Sequence, residues 1–226
     1  MKLRKVLVLL LTAITLTGCT VCNINTKNYM KNINTILSRK SKYTNKNAIG
    51  FQFYLPSGVV VTEVNDFNQR LMSKGDIYYL YADVVSYYHN RVMDYKIDKK
   101  AYISKKLKNG KKFGYLEVNK YKDYYYVEMM YNYAKIESMV SKNNLQEALS
   151  NMAYILSSVK YNDDIVESLL GEEKYNLSDN ETYNIFNTKK GDNENFLKYA
   201  DEFDNYEGDD ATDLIEKKEI SQDKDN

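Results

Sequence analysis

Residues 101–136 read AYISKKLKNGKKFGYLEVNKYKDYYYVEMMYNYAKI, with Asn109-Gly110 near the start. Both central residues of a type I′ turn need positive φ, which Asn and Gly adopt at low cost. Asn-Gly between two β-forming runs is therefore the strongest short hairpin signal. It predicts that Ala101–Lys108 pairs with Lys111–Lys120. A turn at Tyr121-Lys122-Asp123 then leads into Tyr124–Ile136, read as one further strand. Consecutive strands joined by short turns predict an antiparallel meander.

Upstream the pattern is also β. Phe51-Gln-Phe-Tyr-Leu55 stops at Pro56, and Val59–Glu63 follows a tight turn. Asp66–Ser73 leads through Lys74-Gly75-Asp76 into Ile77–Tyr88, read as a single strand. Downstream, Leu145, Ala148, Leu149, Met152, Ile155, Leu156 and Val159 form one helical stripe. Asn144 with Glu147 reads as its N-cap and capping box. Tyr29, Met30, Ile33, Ile36 and Leu37 repeat at the same spacing and predict an amphipathic helix over 27–39. That helix either packs on the domain or lies on a bilayer surface, helped by Arg39, Lys40 and Lys42. The fold class expected is α+β: an antiparallel meander against a C-terminal amphipathic helix, with an N-terminal helix and a disordered acidic tail.

Strands that open on FQFYLPSGV and a helix that ends in ILSSVKY resemble the PsbP/Mog1-type α+β fold over residues 50–161. The resemblance implies a sheet-plus-helix binding scaffold and carries no site residue with it.

The net charge of +1 conceals a division along the chain. Residues 19–162 hold 22 basic and 11 acidic side chains, whereas residues 163–226 hold 7 basic and 20 acidic. The acidic part contains short apolar islands, Tyr183–Phe186 and Phe196–Tyr206, which either dock on the domain or a partner or are simply solvated. The organisation expected is a signal peptide over 1–18, a tether over 19–26, an α+β domain over 27–170 and an acidic tail over 171–226.

The N-terminus explains the two cysteines. Lys2, Arg4 and Lys5 precede an apolar run of 11 residues, Val6–Leu16, too short to span a bilayer core of about 30 Å as a helix. A charged start followed by a short apolar run is the pattern of a secretory signal peptide. Leu16-Thr17-Gly18-Cys19 resembles the bacterial lipobox. That resemblance implies cleavage before Cys19 and a diacylglycerol thioether on its sulfur. Cys22 is then a lone thiol. A redox Cys-x-x-Cys needs a thioredoxin-like context, and zinc needs further ligands, for which His89 is the one histidine in the chain. No metal or other cofactor is expected.

Searching for chemistry returns no G-x-S-x-G, H-E-x-x-H, Walker loop or G-x-G-x-x-G. His89 closes a predicted strand. Asp83 interrupts an apolar run, either as a groove carboxylate or on a wet face. An EF-hand on Asn205–Glu216 fails, because with Gly208 in sixth place the first and twelfth positions fall on Phe203 and Leu214.

Two features remain. The first is a lysine cluster about Asn109-Gly110: Lys96, Lys99, Lys100, Lys105, Lys106, Lys108, Lys111 and Lys112. Its role is either to keep a sheet edge soluble or to engage an anionic partner. The partner would be lipid headgroups, an envelope polymer or another envelope protein; nucleic acid is not expected outside the cell. The second is the tyrosine display, since the chain has 23 Tyr and no Trp. A low-GC coding bias accounts for part of it. On a strand, Tyr124 and Tyr126 share one face while Tyr125, Val127, Met129 and Tyr131 share the other. Both sets are core only if both faces are covered; an open face would suit stacking on sugars or gripping a peptide.

The function expected is a non-enzymatic binding or assembly component of the bacterial envelope, lipid-anchored on the extracytoplasmic face. The alternatives are an accessory subunit whose acidic tail masks the basic surface, or an enzyme of unrecognised type using Asp83 or His89.

Overall fold

A computed structural model describes residues 26–39, 43–171 and Thr188. The expected signal segment, Cys19, Cys22, Lys40, Lys42 and the acidic tail after Gly171 apart from Thr188 lie outside the described residues.

The chain is α+β. Helix α1 (Thr26–Leu37) leads into β1 (Lys46–Ala48) and β2 (Phe51–Phe53), then β3 (Val60–Asn65), β4 (Asn68–Ser73) and β5 (Asp76–Ala82). A short α2 (Val84–Tyr88) and an irregular segment precede β6 (Ile103–Asn109), β7 (Lys112–Tyr121), β8 (Tyr124–Tyr131) and β9 (Ala134–Ser141). Helix α3 (Leu145–Ser158), β10 (Lys160–Tyr161) and α4 (Asp163–Gly171) complete the order. Seven strands form an antiparallel sheet in the order β3-β4-β5-β9-β8-β7-β6, and β1-β2-β10 form a small second sheet. Two meanders therefore meet where β9 pairs with β5, Leu80 opposite Ile136.

One face of the large sheet carries α3, with α1 beside it. Leu80, Leu116, Val118, Val127, Met129, Ile136 and Val140 from the strands meet Leu149, Met152 and Leu156 of α3, all buried. Tyr29, Ile33, Ile36 and Leu37 of α1 join the same core, so the apolar stripe of α1 is spent on the domain. Burying each such side chain contributes about 2 kcal/mol. Arg39 rests over the ring of Tyr154 at 5.2 Å.

Four expectations are corrected. Strand β5 ends at Ala82, not Tyr88: Asp83 accepts the backbone N–H of Ser86 at 2.7 Å and starts α2. Tyr124–Ile136 is two strands, because Asn132 and Tyr133 both adopt positive φ (54° and 62°) and reverse the chain. The loop between β6 and β7 is Gly110-Lys111, since Asn109 pairs with Lys112. Only Gly110 has positive φ there, a type II′ rather than type I′ arrangement. Asn109 stays in the strand and donates its side-chain amide to the carbonyl of Leu37 at 2.7 Å. Finally, Asn144 forms no side-chain cap on α3. Its amide donates to Asp76 at 2.8 Å, and Asp76 also accepts from the Ser141 hydroxyl at 2.7 Å. Glu147, the expected capping partner, pairs with Lys74 at 2.6 Å.

Gly114 tests the sheet directly. A Cβ there would collide with the backbone carbonyl of Met130 across the strand pair. Gly114→Ala is expected to lower stability by about 3 kcal/mol, read as a drop in the urea midpoint.

Candidate functional site

The predicted lysine cluster is drawn out along an edge. Strand β6 is terminal in the sheet, and its seven residues span roughly 20 Å. Lys99 and Lys100 precede it, Lys105, Lys106 and Lys108 lie within it, and Lys111 and Lys112 follow its loop. Lys106 stands opposite Tyr115 and Lys108 opposite Phe113, so both belong to the sheet face away from α3, while Lys105 belongs to the helix-bearing face. Lys112 is half-buried and the other six are exposed, as is Lys96. Burial and the nearby Lys160 lower the Lys112 pKa. Among the described residues none of these lysines has an ion-pair partner.

Other lysines gather at the starting end of β6. Lys120 sits over the ring of Tyr102 at 4.6 Å, and Lys122 over Tyr121 at 5.6 Å. The backbone N–H of Lys142 donates to Asp123 in the adjacent turn at 3.1 Å. Tyr29 marks the first turn of α1 at this same end: burial, with Tyr102 and Tyr125 alongside, pushes its pKa up to about 12. Lys99, Lys100, Lys120, Lys122 and Lys142 thus share one end of the sheet, close to the start of α1. Asp98 and Asp123 lie among them.

The sheet face away from α3 holds what the sequence reading missed. Glu117, Glu128 and Glu137 stand directly opposite one another on β7, β8 and β9, and the row continues through Tyr79 and Arg70 to Glu63. Glu128 is 0% exposed and Glu117 and Glu137 are 2% exposed. Like charges opposed across strands repel, so each needs compensation. Lys135, itself 0% exposed, reaches Glu128 at 2.8 Å and Glu137 at 2.7 Å. Glu117 accepts from the Tyr95 hydroxyl at 2.6 Å and from Asn119 at 3.1 Å. Tyr95 comes from the irregular segment before β6 and lies flat on Tyr115, ring centroids 4.4 Å apart. A signal was present in the sequence: three consecutive strands each carry a glutamate next to an apolar residue, Leu116-Glu117-Val118, Val127-Glu128-Met129 and Ile136-Glu137-Ser138.

Burial alone would lower the Lys135 pKa, but Tyr115, Glu128 and Glu137 outweigh it and hold the pKa above the ordinary lysine value. A lysine that keeps its proton is no nucleophile, so its chemistry here is that of a fixed cation. Burial, then the hydrogen bond to Glu117, raises the Tyr95 pKa. Asp83 caps the start of α2, and His89 is its exposed C-cap. Among the described residues no three His, Cys, Asp or Glu side chains gather to hold a metal ion, and no helix is long and apolar enough to cross a membrane.

Compared with family models, curated proteins and solved structures, the chain finds no match. Its functional reading therefore rests on its own residues.

The buried network yields a signed expectation. Since the folded-state pKa of Lys135 lies above the ordinary 10.5, its stabilisation is complete at neutral pH and is lost only as pH rises through that folded value. Lys135→Met leaves Glu128 and Glu137 buried without their cation and is expected to cost about 3–5 kcal/mol. The two carboxyls then take up protons more readily in the folded state than in the unfolded chain. Urea unfolding is expected to show a smaller deficit near pH 5 than near pH 8.

Proposed function

We propose that this chain is an exported bacterial lipoprotein, anchored through Cys19, whose domain is a non-enzymatic binding or assembly component of the cell envelope. The observation that carries the reading is the start of α1 at the end of the sheet that bears Lys99, Lys100, Lys120, Lys122 and Lys142. Only residues 20–25 separate Cys19 from Thr26, a reach of roughly 25 Å at full extension. A lipid on Cys19 therefore brings this lysine-bearing end towards the headgroups. Each basic residue near an anionic surface contributes about 1 kcal/mol, which reinforces an acyl anchor.

With that end towards the bilayer, β6 runs away from it and carries Lys105, Lys106, Lys108, Lys111 and Lys112 outward. This edge is the surface offered to an anionic partner, an envelope polymer or the acidic segment of another envelope protein. A row of lysines also prevents the unpaired backbone of β6 from adding a strand from another copy.

Two experiments check the reading. Cys19→Ala is expected to move the protein from the membrane fraction to the soluble fraction; retention on membranes would refute the anchor. Replacing Lys99, Lys100, Lys120 and Lys122 by Gln in that soluble variant is expected to weaken sedimentation with phosphatidylglycerol vesicles more than replacing Lys105, Lys106, Lys108 and Lys111, with the difference vanishing at high salt. Equal effects would remove the assigned orientation.

A further inference from the structure

The large sheet ends in β3 on one side and β6 on the other, and the two edges differ. Strand β3 carries a register shift between Val61 and Glu63, the kind of bulge that spoils an edge for further pairing. Strand β6 pairs with β7 without interruption from Ile103 to Asn109, so its outer side is as regular as its inner one.

The hairpin fixes which backbone groups point outward. Its two-residue loop makes Asn109 and Lys112 the closing hydrogen-bonded pair, and in an antiparallel ladder such pairs alternate with non-bonded ones. Ile103, Lys105, Leu107 and Asn109 therefore bond to β7, while Ser104, Lys106 and Lys108 turn their N–H and C=O away from it. Among the described residues no backbone hydrogen bond meets the outward groups of Lys106 or Lys108, and both residues are exposed. The edge is also held at both ends. The Ser104 hydroxyl lies 2.7 Å from the Tyr95 hydroxyl and accepts from the Asp98 backbone N–H at 2.9 Å. At the other end the Asn109 amide donates to the carbonyl of Leu37. An edge already fixed in the extended conformation loses little entropy when a strand joins it.

We propose that β6 binds an extended acidic polypeptide segment by strand addition, with carboxylates at alternate positions set beside Lys106 and Lys108. The proposal rests on the reading of β6 as the edge that meets a partner, and it names the partner's chemistry. Lys106 and Lys108 stand two positions apart on the face away from α3, so two acidic residues with one residue between them on an added strand lie next to both. Opposite charges across neighbouring strands attract and like charges repel. A second copy of β6 would bring lysine against lysine, so the residues that admit an acidic strand also exclude self-pairing. A phosphate polymer matches the charge but has no N–H groups to meet the outward carbonyls of Lys106 and Lys108. The open, regular backbone is what selects a polypeptide.

Amide hydrogen exchange in the full-length chain, in detergent, tests this with a peptide as long as β6 in which glutamate and threonine alternate. Without peptide, the Lys106 and Lys108 amides are expected to exchange fast while those of Lys105 and Leu107 are protected. Adding peptide is expected to slow exchange at Lys106 and Lys108 severalfold. Methylating the peptide's backbone nitrogens keeps its charge and is expected to abolish that protection. Lys106→Gln with Lys108→Gln is expected to weaken peptide binding severalfold by fluorescence anisotropy, and more than Lys105→Gln with Lys111→Gln. Slow exchange at Lys106 and Lys108 before peptide is added would reveal an occupied edge and overturn the inference. So would equal binding of the methylated peptide, peptide binding that leaves their exchange unchanged, or no peptide binding at all. Binding of polyphosphate without binding of peptide would keep β6 as a basic contact surface and still overturn strand addition. The Cys19→Ala fractionation reads the anchor alone, so the two can fail separately.

Discussion

The pairing of β9 with β5 holds this fold together. Strands β3, β4 and β5 form one meander and β6 to β9 another, and each on its own would have its apolar surface half exposed. Joined through Leu80 opposite Ile136 and Ala82 opposite Ala134, they make one sheet wide enough to take α3 and α1 together. Closing a contact between residues more than fifty apart costs chain entropy before it returns any burial. The two buried layers on either side of β9 supply that return: Ile136 and Val140 towards α3, Lys135 and Glu137 towards the other face.

The charged layer constrains the sheet in a way that the apolar layer does not. Apolar side chains of similar size tolerate exchange, but Lys135 must sit between Glu128 and Glu137. Moving one strand by a single residue would turn Lys135 into the helix-facing core and strip both carboxylates of their cation. The network therefore penalises slipped registers across the three central strands. Tyr95 extends the same logic to the segment before β6, because its hydroxyl bridges Glu117 and Ser104 and fastens that segment to the sheet.

Function and fold divide along the same line. Neither face of the central sheet is an open platform: one holds the helices and the other buries its charges and tyrosines. Among the described residues, the rim of the sheet is lysine-rich along β6 and at the end where α1 begins. A rim of exposed cations suits adhesion to a charged surface better than recognition of a small substrate, which requires enclosure.

The sequence by itself determined the α+β class, the amphipathic stripes of α1 and α3, and the meander built on short turns. These follow from local periodicity, which each segment carries alone. It also supplied the run of lysines that β6 carries along the sheet edge, readable from residue type and order. Other features were decided only in three dimensions. The turn at Asn132-Tyr133 exists because Asn132 donates to the carbonyl of Val159, and the carbonyl of Tyr133 accepts from Asp83 and Tyr161; no local preference places a tyrosine at positive φ. Asn144 left its expected capping role because Asp76, distant in sequence, lies within reach. The glutamate row became a buried network only when three strands aligned it beside Lys135. For Asn132 and Asn144 a polar group found its partner far along the chain, and for the glutamates it was strand register that brought a cation from the same and the neighbouring strand into place.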